Sequence, residues 1–482
     1  MKKLKVEVAV IGAGSAGLAA YRAVRAKGKT AVIVEGGAYG STCARVGCMP
    51  SKLLIAAAEA AHGIERFNEF GLRLDAPLRV DGKAVMARVK RERDRFVGFV
   101  LKSVETIPAS DKVRGFAKFL DDHHLKVGDD TEIAFTTAII ATGSSPFVPA
   151  ILAPAGDRVI VNDDVFEWDD LPKSVAVLGP GVIGLELGQA LSRLGVSVRM
   201  FGRSGHIGPF SDPELREYAA KTFAEEFYLD TYAEIESAAK TVEGVELTYR
   251  NRDGELQTAT VDYLIAATGR VPNVRDLGLE NTSLDLDASG VPSFDRTTLR
   301  CGASNIFIAG DVTDELMLLH EAADEGKIAG DNAASHPFVS PGARRALLGI
   351  IFSDPQIAIV GARFDSLAAG SFVVGEVSFE DQGRSRIMLR NRGLLHVYAD
   401  TTTGRLLGAE MIGPDAEHIG HLLAWALQMR MTIGEMLEMP FYHPVVEEGL
   451  RTALREAQAK IFEAQAGSAQ AKFARRPADL RL

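Results

Sequence analysis

Residues 5–17 read KVEVAVIGAGSAG, and the reading of this stretch decides the fold. Val6, Val8 and Val10 alternate as in a strand, and the run ends on Gly12-Ala-Gly14-Ser-Ala-Gly17 before an alanine-rich helical stretch. In a strand–turn–helix of this form the first glycine makes the tight turn. The second lets backbone approach a pyrophosphate, and the third lets helix and strand pack closely. TAVIVE then supplies a second strand ending on Glu35, a carboxylate placed for a ribose hydroxyl. A glycine-rich turn alone also occurs without a ligand. Strand, helix and acid together point to a dinucleotide.

The pattern recurs. KSVAVLGPGVIG at 173–184 repeats the strand and the glycines as Gly179, Gly181 and Gly184. Each copy has a later echo, IIATGSSP at 139–146, with Thr142 and Gly143, and IAATGRVPN at 265–273, with Gly269. A duplication of this kind predicts an α/β protein with two Rossmann-like dinucleotide-binding domains, one bound dinucleotide passing electrons to the other. The second strands differ. Glu35 lies 21 residues after Gly14, whereas the residue 21 after Gly181 is Gly202, followed by Arg203 in VRMFGRS. An arginine in place of the acid suits a 2'-phosphate, so NADPH is favoured over NADH at the second site, and Gly202→Glu with Arg203→Ala is expected to reverse the choice.

The formal charge of -10 and 46% hydrophobic residues describe a globular chain with no surface for nucleic acid, and the length implies about two to four domains. MKKLKVEVAV has the basic start of a signal peptide, but Glu7 interrupts the apolar run and the alternation is that of a strand. No stretch of about 18 apolar residues predicts a membrane span. Three cysteines in 482 residues cannot build a secreted disulfide framework, so a reducing, cytoplasmic setting is expected.

Two of the three lie in GSTCARVGCMPSK at 40–52. Positions five apart on a regular helix face different ways, so a Cys43–Cys48 disulfide requires a distorted turn, for which Gly47 supplies freedom. A helix starting near Cys48 would stabilise a thiolate there. Zinc would need further Cys or His, and none occurs before His62, so no metal is expected. Redox use of the pair is favoured. Cys301 has no partner and reads as a small buried hydrophobe, and His123-His124 as a solvated hairpin tip.

This cysteine stretch, with IFIAGDV (306–312), MLLHEAADEG (317–326), FSDPQIAIVG (352–361) and FYHPVVEEG (441–449), resembles the pyridine nucleotide-disulfide oxidoreductases, the flavoproteins that include dihydrolipoamide dehydrogenase, glutathione reductase and mercuric reductase. The resemblance spans residues 5 to about 462. It implies an FAD-binding domain in two parts, 1–150 and 274–345, an NAD(P)-binding domain at 151–273 and a C-terminal α+β dimerisation domain at 346–465. Composition marks 466–482 as a loose tail. FAD would be held by Gly12, Gly14, Gly17, Glu35, Lys52, Thr142, Gly143 and Asp311, and NAD(P)H by Gly179, Gly181, Gly184, Arg203 and Gly269.

The resemblance also implies that hydride passes from nicotinamide to flavin and electrons on to the Cys43–Cys48 disulfide. Cys48 would be the thiolate against the flavin, Cys43 would exchange with substrate, and Lys52 would pair with Glu186. His443, oriented by Glu448, would move protons for Cys43 from the other subunit of a homodimer. The helical stretch HLLAWALQMR at 421–430 serves equally as an interface or a core element. PSK at 50–52 places the chain nearer the lipoamide branch, and no cysteine follows Cys301 where mercuric reductases carry a pair. Ser41, Arg45 and Tyr442 depart from the usual Gly, Asn and small residue. A dihydrolipoamide dehydrogenase-like enzyme, acting on a small dithiol or a lipoyl domain, is the first expectation. A reductase of glutathione-like disulfides and a catalytically quiet FAD scaffold for a partner protein are the alternatives.

Overall fold

The computed structural model describes residues 2–474, with side chains through residue 466. Its first sheet has seven strands. Lys2–Ile11 lies between Ala31–Glu35 and Thr131–Ile140, parallel to both. The chain leaves this sheet after residue 140 and returns at Ile306–Ile308, which pairs in parallel with Thr131–Ile140. Both faces are covered where the helices lie, which is why the C-terminal ends of the central strands, Val8–Ile11 and Ala138–Ile140, are apolar and buried. Val8, Val10, Ile33 and Ile139 pack under the helices Ser15–Ala26 and Leu319–Ser335. Ala9, Ile11, Val34 and Ile140 face Phe119 and Leu125 from the hairpin strands Ala117–Asp121 and His124–Val127. The turn of that hairpin holds His123, with His124 Nδ1 2.9 Å from Asp121.

The second sheet repeats the plan on a smaller scale. Ser174–Leu178 sits between Ser197–Phe201 and Tyr263–Ala266, with Tyr228–Asp230 and Val159–Ile160 at the edges, all parallel. Val175 and Val177 meet the helix Val182–Arg193, and Ala176 and Leu178 meet an antiparallel sheet built from 234–261. The two echoes of the sequence pair with each other: Ser144–Pro146 is antiparallel to Arg270–Pro272.

The third sheet is antiparallel, in the order Leu348–Ile351, Gln356–Gly361, Leu406–Gly413, Leu394–Asp400, Phe372–Ser378. One face carries Val360, Leu395, Val397 and Met411 against Leu423 and Leu454 of the helices Ala416–Gln428 and Glu448–Ala474. The other carries Ile357, Ile359, Leu394 and Ile412 into the core of the second half. In HLLAWALQMR, Leu423, Ala424 and Ala426 point inward while Leu422, Trp425 and Met429 are exposed, so the helix serves the core with one face and leaves the other free. The last helix runs on to Ala474, into the segment expected to be a loose tail. Ala, Gln and Lys are good helix formers, a preference that polarity of composition does not register. Residues 475–482 of that tail lie outside the described residues. Among the described residues no helix is long and apolar enough to cross a membrane.

Candidate active site

The first fingerprint turn is set by steric necessity. Gly12 has φ +108°, and a Cβ there would lie 2.2 Å from the carbonyl oxygen of Ala141. A Cβ on Gly17 would lie 1.9 Å from the oxygen of Gly12, so any side chain would part helix from strand. Above Gly14 nothing comes within 4 Å, which leaves the helix N-terminus open to an anion. The second copy has the same contacts at Gly179 and Gly184 and the same opening at Gly181. Register shows the halves to be equivalent: Ile11 pairs with Val34 and Leu178 with Phe201, so Glu35 and Gly202 occupy matching positions. Glu35 accepts the N–H groups of Ala13 at 2.8 Å and Gly37 at 2.7 Å. At Gly202 a Cβ would lie 2.6 Å from Pro180 Cγ. Pro180 therefore leaves no room for an acid there, and the Gly202→Glu exchange invited by the sequence is not a clean test. Arg203 is exposed.

Two cavities, of about 880 and 480 Å³, adjoin at Gly14, Thr42, Val46, Ala141 and Gly143 to form one cleft. Glu35, Arg45 and Thr142 line its first part, and Cys43, Cys48, Lys52, Glu186 and Asp311 its second. The thiol pair sits where two helices meet. Thr42–Val46 ends at Gly47, whose φ and ψ of -128° and -114° break the axis, and Cys48–Gly63 starts anew. Cys48 thus occupies a helix N-terminus, one turn from Lys52. Both cysteines are free thiols. A hydrogen bond from Cys43 and, after it, the charge of Lys52 outweigh burial and lower Cys48 to about 7. The same hydrogen bond, with burial, pushes Cys43 well above the usual thiol range.

Lys52 Nζ lies 2.8 and 2.7 Å from the two carboxylate oxygens of Glu186, which is 5% exposed. Glu186 also accepts the N–H of Phe352 at 3.0 Å and a hydroxyl from Ser51 at 3.4 Å. Helices from the two halves and a loop from the third sheet are joined at this one carboxylate. Asp311 accepts from Ser144 Oγ at 3.2 Å, and Arg270 holds Ser144 through bonds of 2.8 and 2.7 Å, so the paired echoes brace this wall. Asn162, which donates to Val46 O at 2.8 Å, Phe352, His320 and His421 also line the cleft and were missed in the sequence. His320 and Phe352 stand inside motifs quoted above and His421 opens the stretch HLLAWALQMR, which was the available signal. His443 lies apart from these residues. Its Nδ1 is 3.0 Å from Glu448, it is 81% exposed on its side chain, and it does not line the cleft. Cys301 is buried in the first core, which pushes its thiol up to about 12.

Two fingerprint turns in one chain, with a polarised dithiol in the cleft of the first, define a dinucleotide-linked thiol oxidoreductase. Residues 6–326 match the family described as pyridine nucleotide-disulphide oxidoreductase and 348–454 its dimerisation domain, and the chain belongs to this family. It is 31% identical over 468 residues to a dihydrolipoyl dehydrogenase of Haloferax volcanii, covering 94% of this chain and 96% of that one. It is 30% identical over 473 residues to a mercuric reductase of Shigella flexneri, covering 93% and 80%. The fold matches the crystal structure of LpdA from Mycobacterium tuberculosis with a TM-score of 0.80 at 25% identity, over 94% of this chain and 99% of that one.

The family binds FAD and uses NAD(P)H. The cleft suits FAD on its own chemistry, with a carboxylate for ribose at one end, an open helix N-terminus for pyrophosphate midway and an ion pair beside thiols at the other.

Proposed function

We propose that this chain is a homodimeric FAD-dependent oxidoreductase that exchanges electrons between NADPH and a dithiol or disulfide of the lipoamide kind through Cys43 and Cys48. Domains of 1–150 with 274–345, 151–273 and 346–465 divide the labour. The observation that carries the reading is the polarised thiol pair, with the Cys48 thiol lowered and Lys52 one turn away, in the cleft that also holds Gly14 and Asp311. FAD, held by the residues lining that cleft, supplies a two-electron relay between nicotinamide and sulfur.

The protein's own part is thiol chemistry. A substrate thiolate attacks Cys43 of the oxidised pair, the Cys43–Cys48 bond breaks, and Cys48 leaves as the thiolate that its helix N-terminus and Lys52 stabilise. The second substrate thiol then attacks the mixed disulfide, and Cys43 leaves with a proton. The substrate has lost two electrons and the pair has gained them. Glu186 holds Lys52 in place, and His443, with Nδ1 turned to Glu448, offers Nε2 for the proton transfers. Arg203, with no acid at 202, favours the 2'-phosphate.

Steady-state assays with lipoamide, glutathione disulfide and Hg²⁺, each with NADH and NADPH, test the reading. Lipoamide with NADPH is expected to turn over fastest, and Arg203→Ala to raise KM for NADPH about tenfold to a hundredfold while sparing NADH. Faster turnover of another acceptor, or NADH used as well as NADPH, overturns the substrate or the cofactor assignment respectively.

A further inference from the structure

His396 lies in the strand Leu394–Asp400, directly opposite Glu376 of the strand Phe372–Ser378, and is 2% exposed. Its Nδ1 is 2.7 Å from Asp212 Oδ2, which also accepts the hydroxyl of Tyr398 at 3.0 Å. Asp212 Oδ1 accepts the N–H of Glu214 at 3.0 Å and so caps the helix Pro213–Ala224. The Nδ1 bond to Asp212 fixes the ring and, with Nδ1–H donating, leaves the Nε2 lone pair of the neutral imidazole free to ligate.

That lone pair has no partner. Nε2 is buried without a hydrogen bond, and it faces Glu214 Oε2 at 3.8 Å and Glu376 Oε2 at 3.9 Å. All three atoms lie within 4.8 Å of one another, and among the described residues neither carboxylate has a Lys or Arg within ion-pairing distance. A lone pair set against two carboxylates in a buried position is repulsive unless a cation lies between them. A proton on Nε2 answers only in part, because it sets one positive charge, at 3.8 and 3.9 Å, against two carboxylates. A metal ion answers well. With bonds of about 2.0–2.2 Å, tetrahedral ligand atoms stand roughly 3.4 Å apart, which the two exposed glutamates reach by small side-chain rotations.

We propose that His396 Nε2, Glu214 and Glu376 form a Zn²⁺ site, with water as the fourth ligand. One imidazole and two carboxylates neutralise a dication and suit zinc, and Asp212 is the carboxylate partner that orients a ligating histidine through its other nitrogen. The ligands come from two parts of the fold. Glu214 lies in the first turn of the helix Pro213–Ala224, which follows the strand Ser197–Phe201 of the second sheet, and the other two lie in the C-terminal sheet. The ion clamps the one to the other, and none of its ligands lines the cleft that holds the thiols. Sequence reading had no means to find it, because its four residues are spread over 185 positions, from Asp212 to His396, and no spacing motif links them.

The test uses the FAD-loaded full chain carrying Cys43→Ser and Cys48→Ser, so that thiols cannot take the metal. After chelator treatment, calorimetric titration with Zn²⁺ is expected to show one equivalent per chain and a Zn²⁺-dependent rise in Tm. His396→Ala could unfold a buried site, so the glutamates, exposed and outside the redox cleft, are the ones to change. Glu214→Gln with Glu376→Gln should weaken zinc at least about a hundredfold and abolish the Tm rise. In the background with intact cysteines the same pair should leave basal turnover unchanged. Absence of saturable zinc binding, or equal affinity in the double glutamine variant, overturns the proposal.

Discussion

At the scale of single residues, the two thiols are unequal and their inequality has a ranked cause. The hydrogen bond from Cys43 acts on Cys48 more strongly than the charge of Lys52 does, and together they lower Cys48 to about 7. In the reduced protein, alkylation of Cys48 should therefore rise through a pH near that value, while Cys43 stays protonated and slow. Cys43→Ala should raise the midpoint more than Lys52→Met, as followed by mass spectrometry of iodoacetamide-treated protein. The reverse order would mean that charge, not the hydrogen bond, governs the thiol.

Ser41, two positions before Cys43, has φ +57° and ψ 151°, a region that favours glycine. The strain costs about 1–3 kcal/mol, and the Oγ bond to Ala44 N at 3.3 Å returns only a few tenths. Glycine also adds unfolded-state freedom worth about 0.4–1 kcal/mol. Ser41→Gly should stabilise by about 1 kcal/mol, read as a Tm gain of about 1–2 °C by scanning calorimetry. The departure of this position from glycine was visible in the sequence. Its φ was not.

At the scale of elements, the first cofactor cleft depends on how closely two helices cross. Gly326 and Gly330 of Leu319–Ser335 face Ala16 and Ala20 of Ser15–Ala26, and a Cβ on Gly326 would lie 2.1 Å from the backbone oxygen of Ala16. Backbone cannot rotate aside as a side chain can. Gly326→Ala should cost about 1–3 kcal/mol, tilt the helix that starts at Gly14 and lower FAD content on purification, measured by absorbance. Gly98→Ala, in the helix Gly82–Glu105 with nothing within 4 Å, should be neutral or slightly stabilising. Equal effects at the two positions would refute the crossing argument.

Elements of this kind explain what the sequence disclosed. Parallel strands that run into glycine turns carry their fold in a contiguous stretch, so both halves and the turns at Gly12 and Gly179 were legible. The antiparallel C-terminal sheet has no such punctuation. The brace of Arg270 on Ser144, the seat of Phe352 on Glu186 and the surroundings of His396 join residues more than a hundred positions apart, or across sheets, and only folding brings them together.

For the whole molecule the open matter is where His443 acts. Within one chain it meets Glu448 and solvent, outside the cleft of Cys43 and Cys48. Near it in sequence, the C-terminal part exposes Trp425 at 67%, Met429 at 74% and Tyr442 at 80%, apolar surface of the kind that obligate interfaces bury. A second copy placed on that surface could carry His443 to the partner's thiols, in keeping with the match of 348–454 to a dimerisation domain. Mixing two inactive homodimers, Cys43→Ser and His443→Ala, decides the point. A two-fold interface puts both lesions in one site of the mixed dimer and leaves the other site intact. Random exchange makes half the dimers mixed, each with one working site of two, so activity should return to about a quarter of wild type. Glu448 should behave as a positioning residue in the same assay. Glu448→Gln, mixed with Cys43→Ser, should recover activity in the same proportion, because its lesion travels with the histidine it orients. If native mass spectrometry shows exchange and activity stays at the level of the parents, His443 acts within its own subunit or not at all. His320 and His421, which line the cleft of their own chain, would then be the side chains to test for the proton transfers.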